Sequence, residues 1–581
     1  MSRVYLAGCR PEPMASYLKA LAVLRLVSEQ ADRGAAGWWG ESGFWLESKL
    51  DEVELENFFL RTYRPTPVVA PWNGGSGFYE GDRTDGLDQI LHSGSPRFEA
   101  YKEAIRAIQQ FPEMPDRELS VGVMLSRVEA NAKEKQAQLA LEVRKKLAGM
   151  EMPKDPLSMG LEAFERWEES LTKKSVEFEA AKKLLATLRK LRTAAKRTGG
   201  ASKEELVRMC RNRLDDVVID WLDAAIVLRS DASLAYPPIL GTAGNEGRLD
   251  YTNNFMCRLA ELLLGENPMA APLLANALFG RRTAGLTAST VGQHDPGRAG
   301  GFNQGPGIEH SKIPTNPWNF VLTIEGAIAW AAGVGRRQSV GGSRVASSPF
   351  TVEAKAIGYS SSGTGDGDSV RGEIWTPLWG RQSSYEEIRF LLREGRAEIG
   401  RKEACDGLQF AQAAASLGVD RGITQFVRYE LLKRRGDSFV ALPAGRFPVR
   451  GWREVDLLRD LDPLLTSRPG KDEPGQATSL VRGVESAVYE FLLHGGALRM
   501  QRIIAAAGRL ERFARFERGG RFKRPRITLR AEWLAAADDG STEFRLAAAL
   551  ASLSPDPPLG SLQSNLEDGQ ESAWRGGNLA G

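Results

Sequence analysis

The chain has 581 residues, of which 42% are hydrophobic and 26% are charged, the composition of an ordinary folded globular protein. Disorder along the whole chain is excluded, and so is a disulfide scaffold, because four cysteines cannot cross-link a chain of this length. The 77 basic and 74 acidic side chains nearly cancel at +3, so the distribution of charge matters more than its total. In chain order, apolar residues at helical spacing predict a helix over Met14–Gln30; Phe44–Leu50 suits a strand, and Val53–Leu60 a second helix.

A loop with three prolines, three glycines and three aromatic residues follows over Pro65–Tyr79. Linkers seldom carry Trp, Phe and Tyr together, so we expect an ordered loop. Trp72 and Phe78 are either core anchors or platforms on which unpaired bases stack. Asn73, with two glycines after it, could reach the edge of a base.

Residues 98–229 predict a charged helical insertion. A helical stripe of apolar residues starts at Phe98, and long charged helices follow. Residues 127–213 hold 21 Lys and Arg against 13 Asp and Glu, a net charge of +8. Solvated helices with charged faces explain most of this pattern, whereas the excess of positive charge also favours a surface that faces a polyanion. Both interpretations stay open.

Residues 230–405 alternate short apolar segments with long glycine-rich loops. Val321–Ile324 and Thr351–Ile357 suit strands. Long loops on a framed core usually carry function, so residues 1–97 and 230–405 together predict an α+β motif-recognition region. The three loops cover Gly285–Gly307, Gly333–Gly342 and Ser360–Gly372.

Residues 406–553 return to helical patterns, with one hairpin expected over Ser438–Val449 that turns at Pro443-Ala444-Gly445. Within this region, Arg509–Arg530 carries nine basic side chains against two acidic ones, or +7. The two basic segments have net charges of +8 and +7, whereas the whole chain has a net charge of +3. The rest of the chain therefore has a net charge of −12. Residues 554–581 predict a loop-like tail. The expected helices cover Leu408–Leu417, Ile423–Leu432, Val455–Leu465, Thr478–Leu493 and Ala497–Phe516.

Motifs that would mark an enzyme are missing from the sequence. It has no GxxxxGK[ST] phosphate loop, no GxSxG nucleophile elbow and no HExxH zinc motif. His294-Asp295 is compatible with a metal site, but Pro296 and glycines surround the pair and the other three histidines have no ligand-like neighbours. A loop histidine that makes hydrogen bonds is the simpler interpretation. We therefore expect no catalytic activity, no metal and no cofactor.

The sequence also bears on the compartment. Leu6-Ala7-Gly8-Cys9 has the order of a lipoprotein cleavage box, but only five residues precede it, too few for a signal peptide. The longest apolar stretch, Val321–Val334, contains Glu325 and is shorter than the roughly 20 residues that a bilayer requires. We expect a cytoplasmic protein.

The remaining class is a protein that binds a polyanion. Arginine supplies phosphate contacts, Asn and Gln on loops can reach base edges, and aromatic rings can stack on unpaired bases. Each candidate also has an ordinary structural interpretation, such as a helix cap for Asn253-Asn254 or a surface charge for any one arginine. The candidate nucleic-acid-binding residues are Trp72, Asn73, Gly74, Gly75, Arg248, Asn253, Asn254, Gln293, His294, Asn303, Gln304, Arg336, Arg337, Arg344, Arg381, Arg521, Lys523 and Arg524.

Several segments, spread from about residue 6 to about residue 553, together resemble one family. They are Leu6–Pro13 running into Ser16–Leu21, Trp72–Phe78, Gly247–Phe255, Asn316–Trp318, Glu373–Trp379 and Ser416–Ile423. This combination resembles the large subunit of type I-G (formerly I-U) CRISPR surveillance complexes of the Cascade class. It is much more specific than any single glycine motif.

The resemblance implies a subunit that is not a nuclease. Such a subunit lies near the 5′ end of the guide RNA, recognises the protospacer-adjacent motif, promotes R-loop formation and recruits the helicase–nuclease in antiviral defence. Base pairing reads the target, and the protein reads only the short adjacent motif. The implied partners are guide RNA, target double-stranded DNA, and the backbone and guide-processing subunits. Asn73 and the glycine loops become candidates for motif reading.

The sequence departs from this family at its end. Family members continue into helical sequence that resembles a small subunit, whereas this chain stops at Gly581, so a short form or a truncated chain is expected. Two other functions stay open on the residues alone. One is a metal-dependent nuclease that uses His294 and Asp295, and the other is a structural scaffold without direct DNA contact.

Overall fold

The computed structural model of the protein has a mixed α+β fold, as the sequence predicts. It describes residues 1–551, with gaps at 74, 79–81, 112–120, 132–133, 149–154, 156, 158–160, 173–175, 199–202, 229–233, 236, 238, 241–250, 290–293, 300–312, 332–348, 353–369, 396, 400–401, 420–421, 434–438, 468–469, 471 and 518–520. The predicted tail over 554–581 lies outside the described residues.

The described strands form two antiparallel four-stranded sheets and three two-stranded ribbons. They are β1 (Ser2–Leu6), β2 (Ala36–Trp39), β3 (Phe44–Ser48), β4 (Val227–Leu228), β5 (Leu234–Ala235), β6 (Thr287–Ser289), β7 (Ile313–Thr315), β8 (Thr351–Val352), β9 (Val370–Trp379), β10 (Ser383–Ser384), β11 (Glu398–Ile399), β12 (Lys402–Glu403), β13 (Ile423–Lys433) and β14 (Phe439–Pro448). The first sheet has the order β1–β3–β2–β10, and the second has the order β14–β13–β9–β8.

The helices precede, interrupt and follow these sheets. In the first half of the chain they are α1 (Met14–Gln30), α2 (Glu52–Asn57), α3 (Asp85–Leu91), α4 (Glu99–Gln109), α5 (Val121–Asn131), α6 (Glu134–Ala148), α7 (Leu161–Ser170), α8 (Val176–Thr198), α9 (Lys203–Arg213), α10 (Asp216–Ala225), α11 (Tyr251–Leu263) and α12 (Ala270–Phe279). In the second half they are α13 (Pro317–Ala331), α14 (Tyr385–Glu394), α15 (Gly407–Ala415), α16 (Asp462–Leu465), α17 (Gly475–His494), α18 (Ala497–Phe516), α19 (Glu532–Ala537) and α20 (Thr542–Ala551).

The first sheet covers α1 with its apolar face. Val4, Leu6, Phe44 and Leu46 alternate with more exposed residues along β1 and β3, so one side of the sheet is buried. Helix α1, buried over most of its length, packs beneath that side, and its Tyr17 ring stacks at 5.0 Å on Trp39 of β2. Helices α1 and α13 form the centre of the main core.

The strand predicted over Val321–Ile324 is wrong, because these residues lie in α13. The four-residue run belongs to a 15-residue, mostly apolar segment, which is long enough for a buried helix. At Gly326 this helix meets the backbone of α1, and a β-carbon there would overlap the carbonyl oxygen of Leu18. The predicted strand over Thr351–Ile357 is present at Thr351–Val352, and its remainder lies outside the described residues.

The helix predicted over Ile423–Leu432 is also wrong, because this segment is the central strand β13. It pairs antiparallel with β9 on one side and β14 on the other. The predicted hairpin exists with different limits, because its second strand β14 runs from Phe439 through the expected turn Pro443-Ala444-Gly445 to Pro448. At this position the strand has a β-bulge. Tyr429 pairs with Pro443 and Arg428 pairs with Gly445, so Ala444 is an extra residue between the two pairs.

A buried ion pair joins the second sheet to the C-terminal helices. Arg428 of β13 donates to both carboxylate oxygens of Glu373 on β9, at 2.9 and 2.7 Å, and to Glu430 at 2.7 Å. Its guanidinium lies between the rings of Trp375 and Tyr489, at 5.9 and 4.9 Å from their centroids. Tyr489 belongs to α17, so Arg428 links the second sheet to the C-terminal helices. Removing Arg428 would leave its carboxylate partners buried without a cation.

The charged insertion has a hydrophobic core of its own. Buried residues of α5, α6, α7 and α8, among them Val121, Leu147, Phe164 and Leu188, form a cluster separate from the main one. By contrast, α4, α9 and α10 contribute their apolar residues to the main core. Among the described residues, every helix is too short or too polar to span a bilayer.

Candidate nucleic-acid interface

The proline-rich loop begins on a buried carboxylate. Glu325 of α13 accepts hydrogen bonds from the guanidinium of Arg25, the hydroxyl of Tyr63, and both the backbone N–H (3.0 Å) and the hydroxyl (2.7 Å) of Thr66. Burial by itself lowers the pKa of Arg25, but the carboxylates of Glu325 and Glu29 outweigh burial and raise it. Arg25 therefore stays charged, and the hydrogen bonds to Glu325 fix the loop to α1 and α13.

The next turn of the loop is held by two further helices. The carbonyl of Val68 accepts from the Tyr101 hydroxyl of α4 at 2.8 Å, and the carbonyl of Val69 accepts from the Trp221 indole of α10 at 2.7 Å. Trp72 is buried in the main core, as is Phe78. These rings are anchors of the loop in this structure; between them, Asn73 is half-buried and Ser76 is fully buried.

Asn73 contacts the charged helix α9, in the later part of the predicted insertion. Its side-chain oxygen accepts a hydrogen bond from the ammonium of Lys203, the first residue of α9, at 3.3 Å. The backbone N–H groups of Gly75 and Gly77 both donate to the carboxylate of Asp82, at 3.0 Å for Gly77. The loop thus closes on its own acidic residue, and Asn73 is half-buried beside a cation.

Helix α3, which follows the loop, packs on helix α11. A β-carbon at Gly86 would lie 2.7 Å from the backbone nitrogen of Cys257, so α3 and α11 pack backbone to backbone. Asn253 and Asn254 lie in the first turn of α11, where Asn253 is buried and Asn254 half-buried. Arg83 precedes α3 with a side chain 76% exposed, and its pairing with Asp85 at 3.0 Å is an exposed, weak contact. We name Asn73, Arg83 and Lys203 the loop face.

His294 has a structural position at the start of α1. The residue is buried, its Nε2–H donates to the carbonyl of Ile239 at 2.7 Å, and its own carbonyl accepts from the Ala15 N–H at 3.0 Å. Burial lowers the pKa of His294 to about 4, against the opposing hydrogen bond to Ile239, so the ring is neutral at pH 7. In the part of the chain that the structure describes, no three His, Cys, Asp or Glu side chains are grouped as metal ligands would be.

Helix α13 lies between the described residues that flank two of the glycine-rich segments. Strands β6 and β7 flank most of the first segment and pair with each other just before α13 begins. Beyond α13, the next described residues include Phe350, whose ring is 6.4 Å from Trp330. At 1.5 Å per residue, α13 is about 21 Å long. Outside the described residues lie the candidates Gly74, Arg248, Gln293, Asn303, Gln304, Arg336, Arg337 and Arg344.

The basic C-terminal segment divides into paired and outward-facing side chains. Arg524 is buried, with 7% of its side chain exposed, and donates to Glu473 at 2.9 Å, so it closes the fold against the start of α17. Arg521 pairs with Glu517 at 3.5 Å, and Arg530 with Asp460 at 2.9 Å. Lys523 is exposed. The positive charge counted in the sequence is thus partly used within the protein.

The outer face of α18 is the largest row of exposed arginines on one described helix. Its exposed cations are Arg502, Arg509, Arg512 and Arg515, and spacings of seven and three residues put the first three on one stripe. The helix has one acidic residue, Glu511, which accepts from the Ile527 N–H at 2.8 Å. We name these four residues the arginine face. None of these four was among the candidate binding residues: Arg509, Arg512 and Arg515 were counted only in the charge of Arg509–Arg530, and Arg502 precedes that segment.

The structure brings Asn73 to Lys203, keeps Asn254 within α11, and places Arg381 just after β9, beside the first sheet. It adds Lys203 and Arg83, which sequence reasoning missed. Lys203 was counted only as part of a charged run, because nothing in the sequence links it to Asn73. Neither a scan against protein-family models nor a search of curated proteins finds a match to this chain.

Proposed function

We propose that this chain is a nucleic-acid-binding subunit of an RNA-guided DNA surveillance complex, corresponding to the large subunit of type I-G Cascade. The observation that carries the proposal is the loop face. Asn73 and Lys203 lie 130 positions apart in the sequence and meet at a loop that buried hydrogen bonds fix to the core. An amide held beside exposed cations combines a group that reads base edges with groups that neutralise phosphates.

The proposed role divides the contacts in two. Asn73 reads the protospacer-adjacent motif in the groove of the target duplex, while Lys203 and Arg83 hold the flanking phosphates. Arg83 can exchange its exposed partner Asp85 for a phosphate at small cost, because exposed ion pairs contribute little. The arginine face of α18 guides a second stretch of backbone. Guide RNA, the backbone and guide-processing subunits, and the helicase–nuclease are the proposed partners.

Affinity purification from cells that express the neighbouring genes tests this role. The proposal predicts that the chain copurifies with other subunits and with RNA of one uniform length. A chain that purifies alone, without RNA, under conditions in which the neighbouring proteins are present would contradict it. A chain that copurifies with subunits and RNA but gives no change in motif binding on substitution of Asn73 is a scaffold instead.

The nuclease alternative has its own test. The purified protein is incubated with duplex and single-stranded DNA in the presence of Mg²⁺ or Mn²⁺, alongside His294→Gln. The proposal predicts intact DNA in both samples. Metal-dependent cleavage that His294→Gln abolishes would replace the proposed role with the nuclease.

A further inference from the structure

The outer side of the first sheet carries a row of aromatic side chains. The strand register places Tyr5 opposite Trp45, and Trp45 opposite Trp38, so three rings cross three neighbouring strands. The ring centroids of Tyr5 and Trp45 are 4.8 Å apart; those of Trp45 and Trp38 are 6.1 Å apart, with planes 10° from parallel. All three side chains are half-buried, whereas the alternating Val4 and Leu46 are buried on the side of α1. We name the three rings the aromatic platform.

Polar and cationic side chains border the platform. Arg3, whose side chain is 65% exposed, lies 5.8 Å from the centre of the Trp38 ring and pairs with Glu47 on the next strand. Glu47 also accepts from Gln382 at 2.6 Å. In the register of β10, Gln382 comes next to Trp38, and the exposed Arg381 precedes it. These groups carry two positive charges against one negative charge.

We propose that the aromatic platform stacks unpaired bases of a single-stranded nucleic acid. Every base has a π-face, so a row of rings accepts successive bases with little regard to sequence. RNA-binding modules use exposed aromatics on antiparallel sheets in this way. Arg3 and Arg381 take the backbone phosphates, and Gln382 supplies an amide beside the last ring. Arg3 is available because its pairing with Glu47 is exposed on the Arg3 side and therefore weak.

The ligand deepens the proposed function, since it rests on this chain binding nucleic acid and names an unpaired strand as what it binds here. A protein partner is the main alternative occupant of this half-buried aromatic row. The excess of positive charge at its border, Arg3 and Arg381 against Glu47, favours a strand that carries phosphates. The platform lies on the first sheet, whereas the loop face lies on the proline-rich loop and at the starts of α3 and α9. Different residues form the two sites, so they can be tested separately.

Fluorescence anisotropy with labelled oligouridylate and oligothymidylate of about 12 nucleotides, within the usual site size of single-strand binders, measures the platform directly. Trp38→Ala and Trp45→Ala should each raise the Kd for both strands by about 5- to 150-fold, the contribution of one stacked base. Trp45→Phe should retain most of the affinity. The matched control is Phe390→Ala, which removes an aromatic side chain 63% exposed on α14. Arg3→Ala should weaken the binding of both oligonucleotides and lower the salt dependence of that binding by about one ion.

The outcomes separate the two sites. Wild-type affinity for single strands in Trp38→Ala and Trp45→Ala would overturn the platform, and loss of a copurifying subunit in those variants would assign it to a protein partner. Should an alanine variant unfold, Trp45→Phe and Arg3→Ala carry the same test. Platform variants should bind motif-bearing duplex like the wild type. If loop-face variants keep their duplex affinity while platform variants lose single strands, motif reading fails and the platform stands.

Discussion

Replacing Glu325 by alanine should release the start of the loop that carries Asn73. The substitution leaves the buried guanidinium of Arg25 without its carboxylate and removes the acceptor of Tyr63 and Thr66. Breaking a buried ion pair from one side costs about 3–5 kcal/mol. Part of that cost is local, because three of the four hydrogen bonds that Glu325 accepts come from the short segment of residues 63–66.

Hydrogen exchange followed by mass spectrometry measures this local effect. We expect the amide hydrogens of residues 63–70, including that of Thr66, to exchange about 100- to 4,000-fold faster in Glu325→Ala than in the wild type. The matched control is Glu29→Ala, which removes the exposed partner of the same Arg25, at 4.0 Å, and should change exchange less than about 5-fold. The double variant Arg25→Met, Glu325→Leu should be less destabilised than Glu325→Ala, because no buried charge is left over. Wild-type exchange rates over 63–70 in Glu325→Ala would refute the claim that this carboxylate fixes the loop.

Three further predictions concern the fold and the basic segment. The pKa of His294 is about 4 in the folded protein and about 6.5 in the unfolded chain, so the unfolded state binds the proton first. The free energy of unfolding should therefore fall by up to about 3 kcal/mol as the pH falls from about 6.5 to about 4. His294→Gln should flatten this part of the stability curve, and an unchanged acid slope would contradict the buried, neutral ring. Gly86→Val should destabilise the packing of α3 on α11 by about 1–3 kcal/mol, measured as a lower Tm; a wild-type Tm would show that the backbones are not in close contact. Arg524→Ala should lower the Tm, because it leaves the buried carboxylate of Glu473 without its cation. The neighbouring variant Lys523→Ala should leave the Tm unchanged and lower the salt dependence of DNA binding by about one ion. Equal effects of the two variants on the Tm would refute the assignment of Arg524 to the fold and of Lys523 to the surface.

Helix positions were predictable where the apolar period was long and the limits were marked. The sequence prediction for Met14–Gln30 coincides with α1, and that for Ala497–Phe516 coincides with α18. The two errors share one cause. Val321–Ile324 and Ile423–Leu432 are apolar segments buried on more than one side, so their periodicity does not distinguish a helix from a strand, and tertiary packing decides.

The candidate sites were predictable only where one segment contained them. Asn73 was found from its own loop, but its contact with Lys203 joins residues that are 130 positions apart. The aromatic platform depends on which residue of β1 faces which residue of β3, and a shift of one position would turn Tyr5 to the other side of the sheet. Register of this kind is set by the folded sheet and is not contained in any single motif.

The central claim is that Asn73 reads bases in a duplex while the cations around it hold phosphates. Equilibrium binding to a library of duplexes with randomised flanking positions, measured at several salt concentrations, tests it most directly. We predict that Asn73→Ala loses discrimination at one or two positions by about 1–3 kcal/mol, that Lys203→Ala weakens all duplexes equally with a salt slope lower by about one, and that the exposed control Asn57→Ala changes neither. Identical sequence preference in Asn73→Ala and the wild type would contradict the claim.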